Sequence, residues 1–138
     1  MEVVPGNFVS MTYMPEDDTV RLDVVMPKDT WFGLTLGESS MSDVDMIYFE
    51  TEQTGTVGKF TDAYGQGYGM PGVDSQQDWT GDFTEGDQYE FSIVRSRQAN
   101  DSSGKDFTFP LDEQFECGFA ASSADGTMNE MHDSFGAF

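Results

Sequence analysis

Residues 19–26 read TVRLDVVM, and apolar side chains occupy every second position along this stretch. The alternating apolar residues are Val20, Leu22, Val24 and Met26. Because successive side chains of a β-strand point to opposite faces, this spacing puts the whole set on one face of a half-buried strand. Residues 88–95, QYEFSIVR, repeat the pattern, and we expect Tyr89, Phe91 and Ile93 to face inward. Both stretches therefore predict strands that cover a core.

Shorter runs rich in β-branched or aromatic residues extend this pattern along the chain. Turn signals separate them, among them PEDD at 15–18, GQG at 65–67 and NDSSG at 100–104. We predict further strands at 8–14, 31–36, 45–50, 57–61, 106–109 and 114–121. No window shows a sustained helical period with caps, and no repeat or linker divides the sequence. The chain is thus expected to be all-β, with residues 1–138 forming a single antiparallel β-sandwich domain.

The balance of acidic and basic residues limits the classes of partner that the chain can bind. Twenty-six acidic residues against six basic ones give a net charge of −20, which repels nucleic-acid phosphate and anionic lipid and favours basic partners or cations. We therefore expect no nucleic-acid partner. A solvated acidic surface, adapted to salt or to solubility, accounts for the charge, and a dedicated docking face is the alternative. Twelve Phe, five Tyr and two Trp are too many aromatic residues for a disordered acidic chain.

Hydropathy gives no sign of a membrane segment. No stretch approaches the ~20 apolar residues of a membrane span, so we expect no direct membrane insertion of this chain. The first residues also lack the basic and apolar regions of a signal peptide.

The single histidine, His132, limits the chemistry of any metal site. Sites that need two imidazoles, such as HExxH zinc sites and bis-histidine haem sites, are excluded. Nine methionines are present, and one imidazole with one thioether is an axial pair used by haem iron. Without a CxxCH motif, a haem in this chain would be a non-covalent b-type.

An enzymatic function has little support in the sequence. Cys117 lies in the alternating run QFECGFA, where a lone cysteine is expected to be a small buried residue. GxSxG, glycine-rich phosphate-loop and zinc spacings are all absent. We therefore expect no catalytic residues.

Several short segments occur in an order that resembles a known family. They are WFGL at 31–34, MSDVDM at 41–46, DAY at 62–64, PGVD at 71–74 with QD at 77–78, Arg95 ahead of Asp106, FAASS at 119–123 and HDSFG at 132–136. This order resembles the DOMON domain, as found in the haem domain of cellobiose dehydrogenase and in the extracellular domains attached to cytochrome b561 proteins. The resemblance runs from about Trp31 to the end of the chain. It implies an immunoglobulin-like β-sandwich that holds one b-type haem near one end.

The resemblance also implies the axial ligands, a methionine of the MSDVDM segment and the histidine of the final HxxxG. These positions are Met41 and His132. Met41 lies among serines, a polar context for a thioether, whereas Met46 alternates with Val44 and Tyr48 and is expected to be a core residue. Met46 nevertheless remains the competing ligand.

Two other methionines lie near the histidine. Met128 is an alternative thioether ligand, whereas Met131 is adjacent to His132 and could hardly reach the opposite face of the iron. From proximity in sequence, the walls of the haem pocket are expected to be Trp31, Phe32, Met46 and Tyr48.

With both axial positions filled, such a haem suits electron transfer better than oxygen activation. The resemblance thus implies a non-catalytic module that shuttles single electrons, alone or as part of a larger redox enzyme. Its redox partner would be a protein or domain, and the acidity predicts a basic face on that partner. An extracellular, periplasmic or lumenal location is implied as well.

Two alternatives involve other ligands. A haem-free DOMON-like module would bind carbohydrate or another protein through exposed aromatic residues such as Tyr64, Tyr68 and Trp79. A calcium loop would use the acidic series Asp74, Asp78, Asp82, Glu85 and Asp87. The spacing of that series does not match an EF-hand, and acidic turn residues explain it without an ion.

Overall fold

The computed structural model consists of β-strands, and the part of the chain it describes contains no helix. The described residues are 2–4, 6–27, 30–37, 42–51, 58–66, 72–73, 79–86, 88–98, 107–110, 117–122 and 134–137. The strands are β1 (Glu2–Val4), β2 (Asn7–Met14), β3 (Thr19–Pro27), β4 (Trp31–Leu36), β5 (Ser42–Thr51), β6 (Gly58–Gln66), β7 (Gly72–Val73), β8 (Thr80–Glu85), β9 (Gln88–Ser96), β10 (Cys117–Ser122) and β11 (Ser134–Ala137).

These strands form two antiparallel sheets. The first has the order β1-β2-β3-β9-β8 and the second the order β11-β10-β4-β5-β6-β7. At the centre of the first sheet, β3 and β9 pair in continuous register from Thr19 opposite Ser96 to Pro27 opposite Gln88. In the second sheet, β4 lies between β10 and β5 and pairs with each along its whole length. A long, regular strand therefore occupies the middle of each sheet.

Side chains from both sheets meet in one main core. The main core comprises Val9, Val20, Leu22, Val24, Met26, Phe32, Leu34, Leu36, Ile47, Phe49, Trp79, Tyr89, Phe91, Ile93, Phe109, Cys117 and Ala121. Phe49 of β5 and Phe91 of β9 bridge the sheets with their ring centroids 4.9 Å apart. Burying each such large apolar side chain contributes roughly 1.5–3 kcal/mol. The predicted antiparallel β-sandwich is confirmed, and so is the burial of Cys117.

Alternation predicted the central strands well and an edge strand poorly. The predictions for β3, β4 and β9 match the observed strands to within one residue at each end. β8 was not predicted, because Gly81 and acidic residues interrupt its alternation. Gly81 has φ +154° and lies against β9, where a Cβ atom would collide with the Ser92 carbonyl oxygen. A residue with little β-propensity is therefore required at this close approach.

The strand predicted at 106–109 is wrong for its described residues, since residues 107–110 form no strand. Instead of joining a ladder, the Phe109 N–H donates to the Arg97 carbonyl over 3.0 Å, and the Phe107 N–H donates to Asp45 Oδ2 over 2.8 Å. The segment is held by one main-chain hydrogen bond and by side-chain contacts, and its apolar alternation reflects packing of Phe109 into the main core.

Candidate functional site

A second buried cluster lies on the face of the second sheet that is turned away from the main core. It comprises Trp31, Met46, Tyr48, Ala63 and Ala120, and is called the outer cluster below. Strand register explains its membership: Tyr48 pairs with Gly33, Met46 pairs with Ala63, and Ala120 also pairs with Gly33. Directly opposed residues of antiparallel strands share a face, so these residues are neighbours across β10, β4, β5 and β6.

The outer cluster is nearly as buried as the main core. Its members are between 0% and 7% exposed. The corresponding face of the first sheet carries exposed polar residues on β9 and β8, among them Ser92, Glu90 and Asp82. A sheet in a sandwich commonly has one face on the core and one in water. The second sheet departs from this rule, since it presents buried apolar side chains on both faces.

The chemistry of the outer cluster combines aromatic rings, small residues and one thioether. The small residues are Gly33 on β4, Ala120 on β10 and Ala63 on β6, while Trp31 and Tyr48 provide large rings. Met46, 2% exposed, supplies a polarisable sulfur. The Trp31 Nε1–H is buried and has no hydrogen-bond acceptor among the described residues. This face is suited to a flat, largely apolar group that offers an acceptor at its edge.

The structure brings together three of the four residues predicted as pocket walls. Trp31, Met46 and Tyr48 share the outer cluster. Phe32 lies on the opposite face of β4, in the main core, where its ring stacks on Phe119 with centroids 6.4 Å apart. The expected pairing of Met46 with Tyr48 on one face is observed, but that face is the outer one.

The two predicted axial ligands, Met41 and His132, lie outside the described residues. The same holds for Met128 and Met131. Met46 is therefore the candidate ligand whose surroundings can be stated.

Trp79 is not the exposed aromatic residue that the sugar-binding alternative requires. It is 4% exposed and lies in the main core, with the Arg95 guanidinium 5.4 Å from its ring centroid and Phe109 edge-on at 6.4 Å. The side chain of Tyr64 and all of Tyr68 lie outside the described residues. The prediction of an exposed Trp79 is thus wrong, because its ring packs against a buried cation.

The acidic series considered for calcium is only partly described. Asp82 is exposed on β8, whereas Asp74, Asp78 and Asp87 lie outside the described ranges. Within those ranges, no three His, Cys, Asp or Glu residues are grouped so that they could hold a metal ion.

A buried ion pair, missed by the sequence analysis, joins the two sheets. Arg95 of β9 donates from Nη1 to Asp45 Oδ2 of β5 over 2.7 Å, and both side chains are 2% exposed. Arg95 also donates from Nη2 to the Phe107 carbonyl and lies 4.8 Å from the Phe109 ring centroid. The alternation of Tyr89, Phe91 and Ile93 continues to Arg95, so an inward arginine could have been predicted from that spacing. Such a charge requires a buried partner, and Asp45 supplies it.

A second polar network closes the turn between β2 and β3 at the surface. Asp18, with φ 53°, accepts hydrogen bonds at Oδ1 from Arg97 Nε over 2.7 Å and from the Tyr13 hydroxyl over 2.8 Å. The hydrogen bond from Arg97, followed by that from Tyr13, lowers the pKa of Asp18 below its ordinary value of 3.8. The same contact with Asp18 raises the pKa of Tyr13 above 10.0. The turn is thus held in place by a charged contact between positions far apart in sequence.

Comparison with known proteins identifies the fold. No family model matches the sequence, and no curated protein matches it. One similar solved structure is the cytochrome b domain of pyranose dehydrogenase from Coprinopsis cinerea, with a TM-score of 0.69 and 14% identity over 94% of this chain and 80% of that one. Another is the cytochrome domain of Myriococcum thermophilum cellobiose dehydrogenase, with a TM-score of 0.68 and 11% identity over 100% of this chain and 77% of that one. The chain has the fold of these cytochrome domains, which confirms the resemblance inferred from its ordered segments.

Proposed function

We propose that this chain binds one b-type haem non-covalently and passes single electrons between redox partners. The observation that carries the proposal is the outer cluster, a buried apolar face that the main core of the sandwich does not use. Support comes from the fold, since the two similar solved structures named above are cytochrome domains.

The described residues of the outer cluster fit a haem. A haem is flat and mostly apolar, carries two carboxylates at one edge, and needs donors to iron above and below its plane. The small residues Ala120 on β10 and Ala63 on β6 flank the rings of Trp31 and Tyr48 on β4 and β5, and leave room on this face for a flat group. Met46 contributes a thioether, which is a soft ligand suited to haem iron.

The axial ligands we propose are Met41 and His132, by resemblance to the family. Met46 is the alternative thioether ligand, because it is buried in the outer cluster. When bound, the haem would supply a one-electron couple at its iron. These side chains would hold the iron, keep oxygen from it and set its potential, which a methionine ligand raises.

The proposed role is electron transfer and not catalysis, as a module that serves a larger redox enzyme or a separate partner. We propose a location outside the cytoplasm, by the same resemblance. No segment in the described ranges forms a helix long and apolar enough to cross a membrane.

A basic face on the partner would complement the acidity of this chain. Asp23, Asp82 and Glu90 line a groove of about 350 Å³ on the outer face of the first sheet. Complementary fields raise association rates by roughly 10–10³-fold at low salt. Electron-transfer rates with a basic cytochrome should therefore fall steeply between about 0.01 and 0.5 M salt, because exposed charges are screened over about 10 Å at 0.1 M. A flat salt profile would show that the acidic surface is not a docking face.

Titration of the purified protein with haem tests the proposed function. We expect a saturable one-to-one complex with a sharp Soret band, and resolved α and β bands on reduction, as for six-coordinate low-spin iron. A broad, weak band that does not saturate would overturn the proposal.

A further inference from the structure

The two tryptophans of this chain share one property and differ in their surroundings. In both, the indole Nε1–H is buried and meets no acceptor among the described residues. Trp79 lies in the main core, with its ring against the Arg95 guanidinium and Phe109. Trp31 lies in the outer cluster, beside Met46 and Tyr48. An indole N–H is a donor only, and leaving it unpaired in a buried place costs free energy.

Trp31 is also placed at an end of its sheet. It is the first residue of β4, and its register partners are Glu50 on β5 and Ser122 on β10. Glu50 is half-buried, so this row of residues marks a boundary between the buried face and water. A charged group held here can keep some contact with solvent.

No arginine is free to bind a carboxylate beside Trp31, because each one already binds an aspartate. Arg21 pairs with Asp23 at 2.9 Å, Arg97 with Asp18 at 2.7 Å, and Arg95 with Asp45 at 2.7 Å. These are the only arginines in the sequence. The guanidinium group, which commonly binds carboxylates through two hydrogen bonds, is therefore already paired with an aspartate in each arginine.

We propose that the Trp31 indole N–H donates a hydrogen bond to a propionate carboxylate of the bound haem. This inference rests on the proposed function and adds a specific positioning residue to it. The propionates are the acceptors that a haem offers at its edge, and a neutral donor satisfies them without an arginine. This hydrogen bond would fix the rotation of the haem about the axis normal to its plane.

Two porphyrins that differ only in their carboxylates separate this role from simple packing. Zinc protoporphyrin IX keeps both propionates, and its dimethyl ester lacks the charged acceptors. Trp31→Phe retains an aromatic wall and removes the N–H, while Trp79→Phe is the matched control in the main core. We expect Trp31→Phe to weaken binding of the diacid by about 10- to 100-fold, the range for a hydrogen bond to a charged group. Its affinity for the ester should stay within about 3-fold of that of the unaltered chain.

Indole ¹⁵N–¹H spectra give a readout that packing alone would not move. In the Trp79→Phe protein the one remaining indole signal belongs to Trp31, and we expect its proton to move downfield with the diacid and not with the ester. Equal losses for both porphyrins, or no difference between the two spectra, would overturn the inference and leave haem binding intact. If the unaltered chain binds neither porphyrin nor haem, the proposed function fails as well.

Discussion

The main core and the outer cluster are built on opposite faces of the same strands, yet they differ in what packs against them: the main core packs against the first sheet, and the outer cluster faces away from it. The inner face of β4 packs Phe32 and Leu34 against the first sheet, and the charge buried there is matched by the Arg95–Asp45 pair. The outer face buries Trp31, whose N–H, like that of Trp79 in the main core, finds no acceptor in the described part of the chain. The outer cluster buries two large rings, a thioether and small residues on a face that does not join the two sheets, and a buried apolar face of this kind is typical of a binding site.

The largest expected effect concerns the axial ligands. His132→Ala should abolish stable haem retention, because the chain has no second imidazole. Met41→Ala should leave a five-coordinate or water-ligated haem with a lower reduction potential, measured by visible spectroscopy and redox titration. Met131→Ala, next to the histidine, is the control and should change neither. If Met46→Ala produces the loss and Met41→Ala does not, the thioether ligand belongs to the outer cluster itself.

The buried ion pair gives the next largest effect, and it should be confined to stability. Arg95→Met leaves the Asp45 carboxylate buried without its cation, so the free energy of unfolding should fall by about 3–5 kcal/mol in urea denaturation. The double variant Arg95→Met with Asp45→Leu removes both charges and should recover much of that loss. A single-variant loss below about 1 kcal/mol would show that the pair does not hold the sheets together.

Neighbouring residues of β5 allow the two faces to be separated directly. Ile47→Ala removes side-chain volume from the main core and should lower the free energy of unfolding by about 2–5 kcal/mol, with an unchanged haem spectrum. Met46→Leu nearly conserves volume in the outer cluster and should cost less than about 1.5 kcal/mol. Met11 packs against the main core, so Met11→Leu is the matched control when the haem affinity of the Met46→Leu protein is measured. If Ile47→Ala changed the haem spectrum, and Met46→Leu changed neither stability nor haem affinity, the two faces of the sheet would not have these separate roles.

Much of this division follows from alternation in the sequence. The spacing of Val20, Leu22 and Val24 was enough to predict β3 and its buried face, because one face of that strand is apolar and the other polar. Strand β4 is buried along its whole length, so its composition does not show which of its faces packs on the main core. The sequence prediction grouped Trp31 with Phe32 by proximity, although adjacent residues of a strand point to opposite faces.

Other features depend on contacts between distant positions. The segment at 107–110 has a strand-like composition but is held by Arg95 and Arg97, each 12 residues before its partner, and by Asp45, which lies 62 residues before Phe107. The assignment of Met41 and His132 is still a prediction based on family resemblance.

The smallest effect we predict lies at the surface turn of β2 and β3. The folded state lowers the pKa of Asp18 below 3.8, chiefly through the hydrogen bond from Arg97. Stability from this contact is therefore fully present above pH 3.8 and is lost as the pH falls through the lower, folded-state pKa. Asp18→Asn should flatten this part of the acid-unfolding curve, whereas Asp17→Asn removes an equal charge next to it and should not. Identical curves for the two variants would contradict the assignment.

Ring-current shifts test most directly whether haem binds on the outer cluster. Zinc protoporphyrin IX is diamagnetic, and methyl groups over its plane move strongly upfield in ¹³C–¹H spectra. We predict large shifts for the methyl groups of Met46, Ala63 and Ala120, and small ones for Val24 and Ile93 in the main core. Shifts of equal size in both sets, or large shifts only in the main core, would contradict the account.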